Sequence, residues 1–296
     1  MSSAAEPLLD RHFLERLERL TLHWQRSFGG LVGGHNPSRF SGGGQEFLDH
    51  RSFHHGDDLR AVNWRAYLRL DKLFLKMFQI EPRVPVHLLL DTSASMASGT
   101  GAKFEMARKL AASLCYVGLV RLDTIALQPF SSALGEGITG GGGRHRFQPV
   151  MEYLQRTEAQ GVSNFDVMVR AFIQSTRQHG LVIIVSDFLD DRDCIRPLQY
   201  IADYGHELLL IQIYAEEDRT PPWNGELDLV DAETNAEVRL QFDEHSREQY
   251  TKAFDEYSAS LQQLAVRNGG RFASVSTATS LEDVIFDSLV RTRGIA

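Results

Sequence analysis

Asp91-Thr92-Ser93-Ala94-Ser95 carries a carboxylate and two hydroxyls at alternate positions, directly after the apolar run Val86-His87-Leu88-Leu89-Leu90. From a tight loop, Asp91, Ser93 and Ser95 can all face one point. Hard oxygen donors with few carboxylates suit Mg²⁺, which keeps several waters and tolerates one or two acidic groups. A second aspartate, Asp187, closes another apolar run, LVIIVSD (181–187). In open α/β sheets ligands bind at the carboxyl ends of strands, where both aspartates would stand. Ser163, in Gly161-Val162-Ser163-Asn164-Phe165, offers a further oxygen just before a helical segment, with Asn164 as the second candidate there. The competing reading is structural: Ser93 and Ser95 cap a helix, and Asp91 is a turn residue.

Other chemistries fit less well. A phosphatase of the haloacid-dehalogenase type needs a second aspartate two residues after the first, and that position is Ser93. No G-x-S-x-G nucleophile elbow and no phosphate-binding G-x-x-x-x-G-K-[ST] occurs. His54 and His55 are adjacent, so a regular strand would point them apart and a zinc site on them is disfavoured. The enzymatic alternative is a Mg²⁺-dependent hydrolase or transferase, with Asp91 and Asp187 holding the ion. A third is a purely structural subunit.

Strands and helices must position these residues. Leu9, Phe13, Leu17, Leu20 and Trp24 recur at helical steps and predict an amphipathic helix over 8–27. Gly29 to Gly44 reads as a loop or irregular wrap, and 73–81 as a strand. From Val86 onward, short apolar strands (86–91, 124–130, 181–187, 207–214, 271–276) alternate with helical segments (104–122, 147–155, 165–178, 194–204, 246–266, 281–292). Gly140 to Gly143 reads as a mobile surface loop. The alternation argues for a doubly wound, mostly parallel sheet of Rossmann type, covered on both faces. Residues 224–243 interrupt it: Leu227, Leu229, Val238 and Leu240 flank DAETNAE as an inserted β-hairpin, an edge cover or a recognition tip. The expected division is 1–83, an N-terminal helix and wrap, and 84–296, the α/β domain.

Composition narrows the class. At 296 residues, 43% hydrophobic and 24% charged, the chain is neither disordered nor membrane-embedded. Its net charge of −8 is unhelpful for a phosphate backbone and suits a cation or a basic partner better than nucleic acid. Cys115 and Cys194 form no metal motif and read as buried structural thiols. No apolar run approaches the length of a membrane span and no signal-peptide pattern opens the chain, so the expected location is the cytoplasm, with any membrane attachment made through a partner.

DTSAS resembles the D-x-S-x-S start of the metal-ion-dependent adhesion site in von Willebrand factor type A domains. Val185-Ser186-Asp187 looks like that site's later strand-end aspartate. Ser163 stands where the family usually has threonine. Upstream, Gly44-Gln45-Glu46-Phe47, Asp49-His50-Arg51, Gly56-Asp57-Asp58-Leu59-Arg60 and Asn63-Trp64-Arg65 resemble the bacterial domain-of-unknown-function 58 family, which sets this signature before a von Willebrand A-like domain; Asn63 replaces a frequent aspartate. The resemblance spans about 40–292. It implies one antiparallel edge strand, a divalent cation on Asp91, Ser93, Ser95, Ser163 and Asp187, and a coordination position completed by an acidic side chain of a protein ligand. It further implies a non-enzymatic adaptor working with a MoxR-type AAA+ ATPase in assembly or activation of other proteins. Arg51, Asp58, Arg60, Trp64 and Arg69 form either a partner surface, since Arg and Trp favour hot spots, or an ion-pair and cap network.

Overall fold

The structure is a computed structural model that describes residues 8–22, 46–54, 62–79, 85–190, 192–234 and 236–295. Along the chain lie α1 (Arg11–Leu17), β1 (Glu46–Ser52), α2 (Trp64–Leu70), β2 (Phe74–Gln79), β3 (Pro85–Asp91), α3 (Ala102–Val120), β4 (Thr124–Phe130), β5 (Ile138–Gly141), α4 (Phe147–Arg156) and α5 (Phe165–Ser175). There follow β6 (Leu181–Ser186), α6 (Ile195–Asp203), β7 (Glu207–Tyr214), α7 (Glu216–Arg219), β8 (Gly225–Val230), β9 (Glu237–Phe242), α8 (Glu244–Arg267), β10 (Arg271–Ser276) and α9 (Leu281–Asp283), which runs on as a π turn over Val284–Leu289. The chain divides into two compact units, 28–83 and the remainder.

The larger unit is built on a six-stranded sheet in the order β10-β7-β6-β3-β4-β5. All pairings are parallel except β4 with the edge strand β5. This is the doubly wound, mostly parallel architecture expected. Side-chain alternation splits the core into two layers. Leu88, Leu90, Ile183, Val185, Leu209 and Ile211 face one hydrophobic cluster, with α1, α3 and α4; Leu89, Val182, Ile184, Leu208 and Leu210 face the other, with α5, α6 and α8. Burial on both faces explains why these strands read as continuous apolar runs.

The strand direction of travel reverses at β3. From β3 the chain moves one way to β4 and β5, and later returns to β6 on the other side. A crevice opens where loops leaving β3 and β6 diverge, the topological switch point at which such sheets bind ligands. Asp91 is the last residue of β3, and Asp187 follows the last residue of β6.

Some boundaries differ from the sequence reading. The first helix spans only Arg11–Leu17, with Asp10 capping Phe13 N–H. Beyond it Leu20 and Leu22 are still buried, and Leu22 bridges to Ile295, so the apolar spacing there reflects packing rather than continued helix. Gly140 and Gly141 belong to β5 rather than to a loop, because pairing with β4 supplies the hydrogen bonds that glycine's weak strand preference does not encode. The hairpin forms as β8 and β9, pairing only with each other. Cys115 and Cys194 are both buried free thiols, and burial pushes each up to about 12. Among the described residues no helix is long and apolar enough to cross a membrane.

The smaller unit pairs β1 with β2 antiparallel, with an irregularity between Phe47 and Asp49. Asn63 caps α2 by accepting Ala66 N–H. The Gly29 to Gly44 stretch lies outside the described residues.

Ile183 is fully buried at the centre of β6, between β3 and β7. Ile183→Ala is expected to lower stability by about 2–5 kcal/mol, read as a shift in urea midpoint. A loss below about 1 kcal/mol would contradict its central place.

Candidate functional site at the switch point

Asp91 is wholly buried, and both its oxygens are used. Oδ1 accepts the Ser93 N–H at 2.9 Å, closing an Asx turn that bends the chain sharply off β3. Oδ2 accepts the Ser186 hydroxyl at 2.5 Å, which ties β3 to β6 across the crevice. The turn is held from outside as well: Ala94 N–H donates to Gly161 O, and Gln160 N–H donates to Thr92 O. Loop 91–95 and loop 160–164 are therefore fixed to each other by backbone bonds.

Ser93 and Ser95 point their hydroxyls at each other, Oγ to Oγ 3.0 Å. Ser93 opens a 3₁₀ turn over Ala94–Ala97 but makes no side-chain cap bond, so the helix-capping explanation of this serine does not hold. Ser163 is almost fully buried and Asn164 is not its equivalent. The Asn164 side chain accepts Val167 N–H as the N-cap of α5, which removes it as the alternative donor.

Asp187 accepts Leu189 N–H on Oδ1 and the Lys103 ammonium on Oδ2 at 2.9 Å. Lys103, from the first turn of α3, is 3% exposed and also pairs with Asp218 at 3.1 Å. Burial works against its charge, but the two carboxylates outweigh that and hold its pKa above the usual lysine range. After Asp187 comes Phe188 at φ 57, a left-handed conformation unusual for a bulky residue. It is retained because its ring stacks on Phe165 and its carbonyl accepts the Tyr257 hydroxyl at 2.7 Å. The backbone turn that aims Asp187 is thus held by packing on both sides.

The hairpin supplies the group that sequence spacing did not single out. Asp231 organises the β8–β9 turn by accepting the N–H groups of Glu233 and Thr234. Glu233 extends into the crevice, where Oε2 accepts Ser163 N–H at 3.0 Å and faces Ser163 Oγ at 3.4 Å. Burial pushes its carboxyl up, against the pull of Ser163 N–H and the Ser95 and Ser93 hydroxyls. Oε1 is buried and has no hydrogen-bond partner among the described residues.

These groups fit a hard divalent cation. Adjacent oxygens of an octahedral Mg²⁺ shell, at about 2.0–2.1 Å from the ion, lie about 3 Å apart, the separation of the two serine hydroxyls. The buried Oε1 lacks the partner that a cation would give it. Among the described residues, the carboxylates of Asp91, Asp187, Asp218 and Glu233 stand near two cations, the Lys103 ammonium and the Arg192 guanidinium, which donates to Ser163 O at 3.1 Å. Among the described residues no three His, Cys, Asp or Glu side chains gather as a conventional metal cluster, so hydroxyls would carry much of the donor set.

The other sequence-selected residues lie in the smaller unit. Trp64 is 54% exposed and meets Tyr67 edge-on. Arg51 lies in β1, and Arg69 in the last turn of α2, while Asp58 and Arg60 lie outside the described residues.

These features define a doubly wound α/β protein with one antiparallel edge strand and with carboxylates and hydroxyls gathered at its switch point. The chain belongs to the family described as "Protein of unknown function DUF58", which matches residues 49–280. An uncharacterised protein of Mycobacterium tuberculosis is 25% identical over 284 residues, covering 94% of this chain and 89% of that one. A second, from Mycobacterium avium, is 29% identical over 148 residues, 49% of this chain and 85% of that one. Among solved structures, the chain resembles BatB from Bacteroides thetaiotaomicron (TM-score 0.41, 15% identity, 71% of this chain and 98% of that one). It also resembles a von Willebrand factor type A protein from Catenulispora acidiphila (TM-score 0.43, 10% identity, 74% and 43%). At such identities the chemistry of the site must be read from this chain's own residues.

Burial, with the charge of Asp187 behind it, raises Asp91 from 3.8 to about 7. Between those values the folded metal-free chain keeps a proton that the unfolded chain releases, so stability falls as pH rises through the interval. The slope from this group is at most about 1.4 kcal/mol per pH unit. In chelator, wild type is expected to lose thermal stability relative to Asp91→Asn between about pH 4 and 7. Parallel melting curves for the two proteins across that range would contradict the assignment.

Proposed function

We propose that this protein is a non-enzymatic binding module that captures a protein ligand through a divalent cation, Mg²⁺ by its oxygen chemistry. Asp91, Ser93, Ser95, Ser163 and Asp187 would hold the ion, directly or through water, and an acidic side chain of the ligand would complete its shell. The observation that carries this reading is the pairing of the 3.0 Å serine hydroxyls with a buried, unpartnered carboxylate oxygen in the same crevice. The cation would supply the attraction between two acidic surfaces that otherwise repel; the residues of the chain fix where that attraction acts.

A hydrolase or transferase reading is less well supported. Lys103 is held charged by two carboxylates and is not a base. Asp91 is wholly buried and pinned by Ser93 N–H and the Ser186 hydroxyl, which suits a fixed carboxylate better than a base that exchanges protons with a substrate. The family resemblance supports a MoxR-type AAA+ ATPase as working partner.

Tagged wild type and Asp91→Ala, each in Mg²⁺ and in chelator, test this by affinity capture from native lysate. The expected result is retention of a MoxR-type ATPase or its client by wild type in Mg²⁺ alone, with Asp91→Ala still folded by circular dichroism. Retention indifferent to both metal and Asp91 would move the docking surface to the unit bearing Arg51, Asp58, Arg60 and Trp64.

A further inference from the structure

We propose that Glu233 is a tethered ligand of the switch-point cation, an internal stand-in for the partner's carboxylate, and that the partner presents an acidic turn resembling the β8–β9 tip. This inference rests on the cation-binding reading above. It adds which group fills the open position in the free protein and what shape of ligand replaces it.

Three observations converge. First, Glu233 reaches a hydroxyl-bearing residue selected from sequence: Oε2 accepts Ser163 N–H at 3.0 Å and faces Ser163 Oγ at 3.4 Å, and Ala94 N–H bonded to Gly161 O fixes that loop to the one carrying Ser93 and Ser95. Second, Oε1 is buried and has no hydrogen-bond partner among the described residues. A carboxylate oxygen in that state is costly, and the site offers the cation that would relieve it. Third, the ribbon carrying Glu233 is buried at its foot, at Phe242, and exposed along one face. β8 and β9 pair only with each other, and Val230 and Val238 are 60% and 55% exposed. An isolated two-stranded hairpin is marginal in water. Its base is anchored by Arg247, which donates to Pro221 O and Trp223 O, and its tip by Glu233. Releasing the tip leaves the sheet and its core untouched.

The turn also shows what geometry the site accepts. Asp231 folds the tip through the Glu233 and Thr234 N–H groups, so the glutamate leaves a tight loop rather than an extended strand. A partner carboxylate on a comparable turn would meet the same donors.

The test uses full-length wild type, Glu233→Ala, Glu233→Gln and Asp91→Ala. Mn²⁺ alone serves as the probe in calorimetry and electron paramagnetic resonance. Hydrogen exchange across 225–242 is followed with and without Mn²⁺. A cyclised peptide of residues 229–239 is the ligand probe. Wild type is expected to bind Mn²⁺ and to gain exchange protection in the hairpin. Glu233→Ala and Glu233→Gln should bind Mn²⁺ at least about tenfold more weakly, without hairpin protection. The peptide should bind Glu233→Ala in Mn²⁺ at least about tenfold more tightly than wild type, because the tethered competitor is gone. Asp91→Ala should bind neither probe. If wild type takes up no Mn²⁺, the cation-binding reading fails and the tethered ligand with it. If wild type binds Mn²⁺ and both Glu233 variants match it in affinity and hairpin protection, the tethered ligand alone is overturned. Failure of the peptide to bind Glu233→Ala would overturn the acidic-turn partner.

Discussion

Two carboxylates are buried at the ends of adjacent parallel strands, where burial, and after it the charge on Asp187, raises Asp91. Neither position is cheap to occupy, and much of the surrounding structure compensates. Asp91 is wrapped by Ser93 N–H and the Ser186 hydroxyl; Asp187 is met by Lys103 and Leu189 N–H. Lys103 is itself out of place by local rules, since a cation in the first turn of a helix opposes the helix dipole. Its position is dictated by the carboxylates. A site assembled this way has a deficit of positive charge that α3 corrects only in part.

The sheet explains how that site stays in register. Ridges from α3 and α4 fill one face, α5, α6 and α8 the other, and each strand contributes alternate residues to both. Strand ends packed on two sides have little freedom, so the loops leaving them inherit rigid starting points. Phe188 shows the cost. Its left-handed backbone persists because Phe165 stacks on the ring and Tyr257 holds the carbonyl.

Much of this was legible from the sequence for a simple reason. Strands buried on both faces must be apolar throughout, so LVIIVS and ELLLIQIY declare themselves, and the polar residue ending each run marks the crevice. Asp91, Ser93 and Ser95 could be grouped because the five residues of a tight loop cannot separate far. Ser163 was offered by its place before a helix, with Asn164 beside it, and the resemblance chose between the two. Lys103 and Glu233 were missed: they come from a helix and a hairpin remote in sequence, and nothing in a lone Lys or in DAETNAE says where it lands. β5 was missed because Gly140 and Gly141 enter the sheet through backbone bonds alone, which no side-chain pattern records. Asn164 was the second candidate because a cap and a ligand demand the same side-chain oxygen, and here that oxygen caps α5.

The ribbon's attachment at its base has a kinetic and concentration consequence. A carboxylate fixed to the same chain by a short connection competes at an effective concentration on the order of millimolar. A free acidic side chain of similar intrinsic affinity, at cellular protein levels well below that, would lose the contest. A productive partner must therefore grip the molecule at a second place, so that its own carboxylate also becomes a local one. Selectivity would then come from the second grip, and the switch-point ion would report only that the grip had been made.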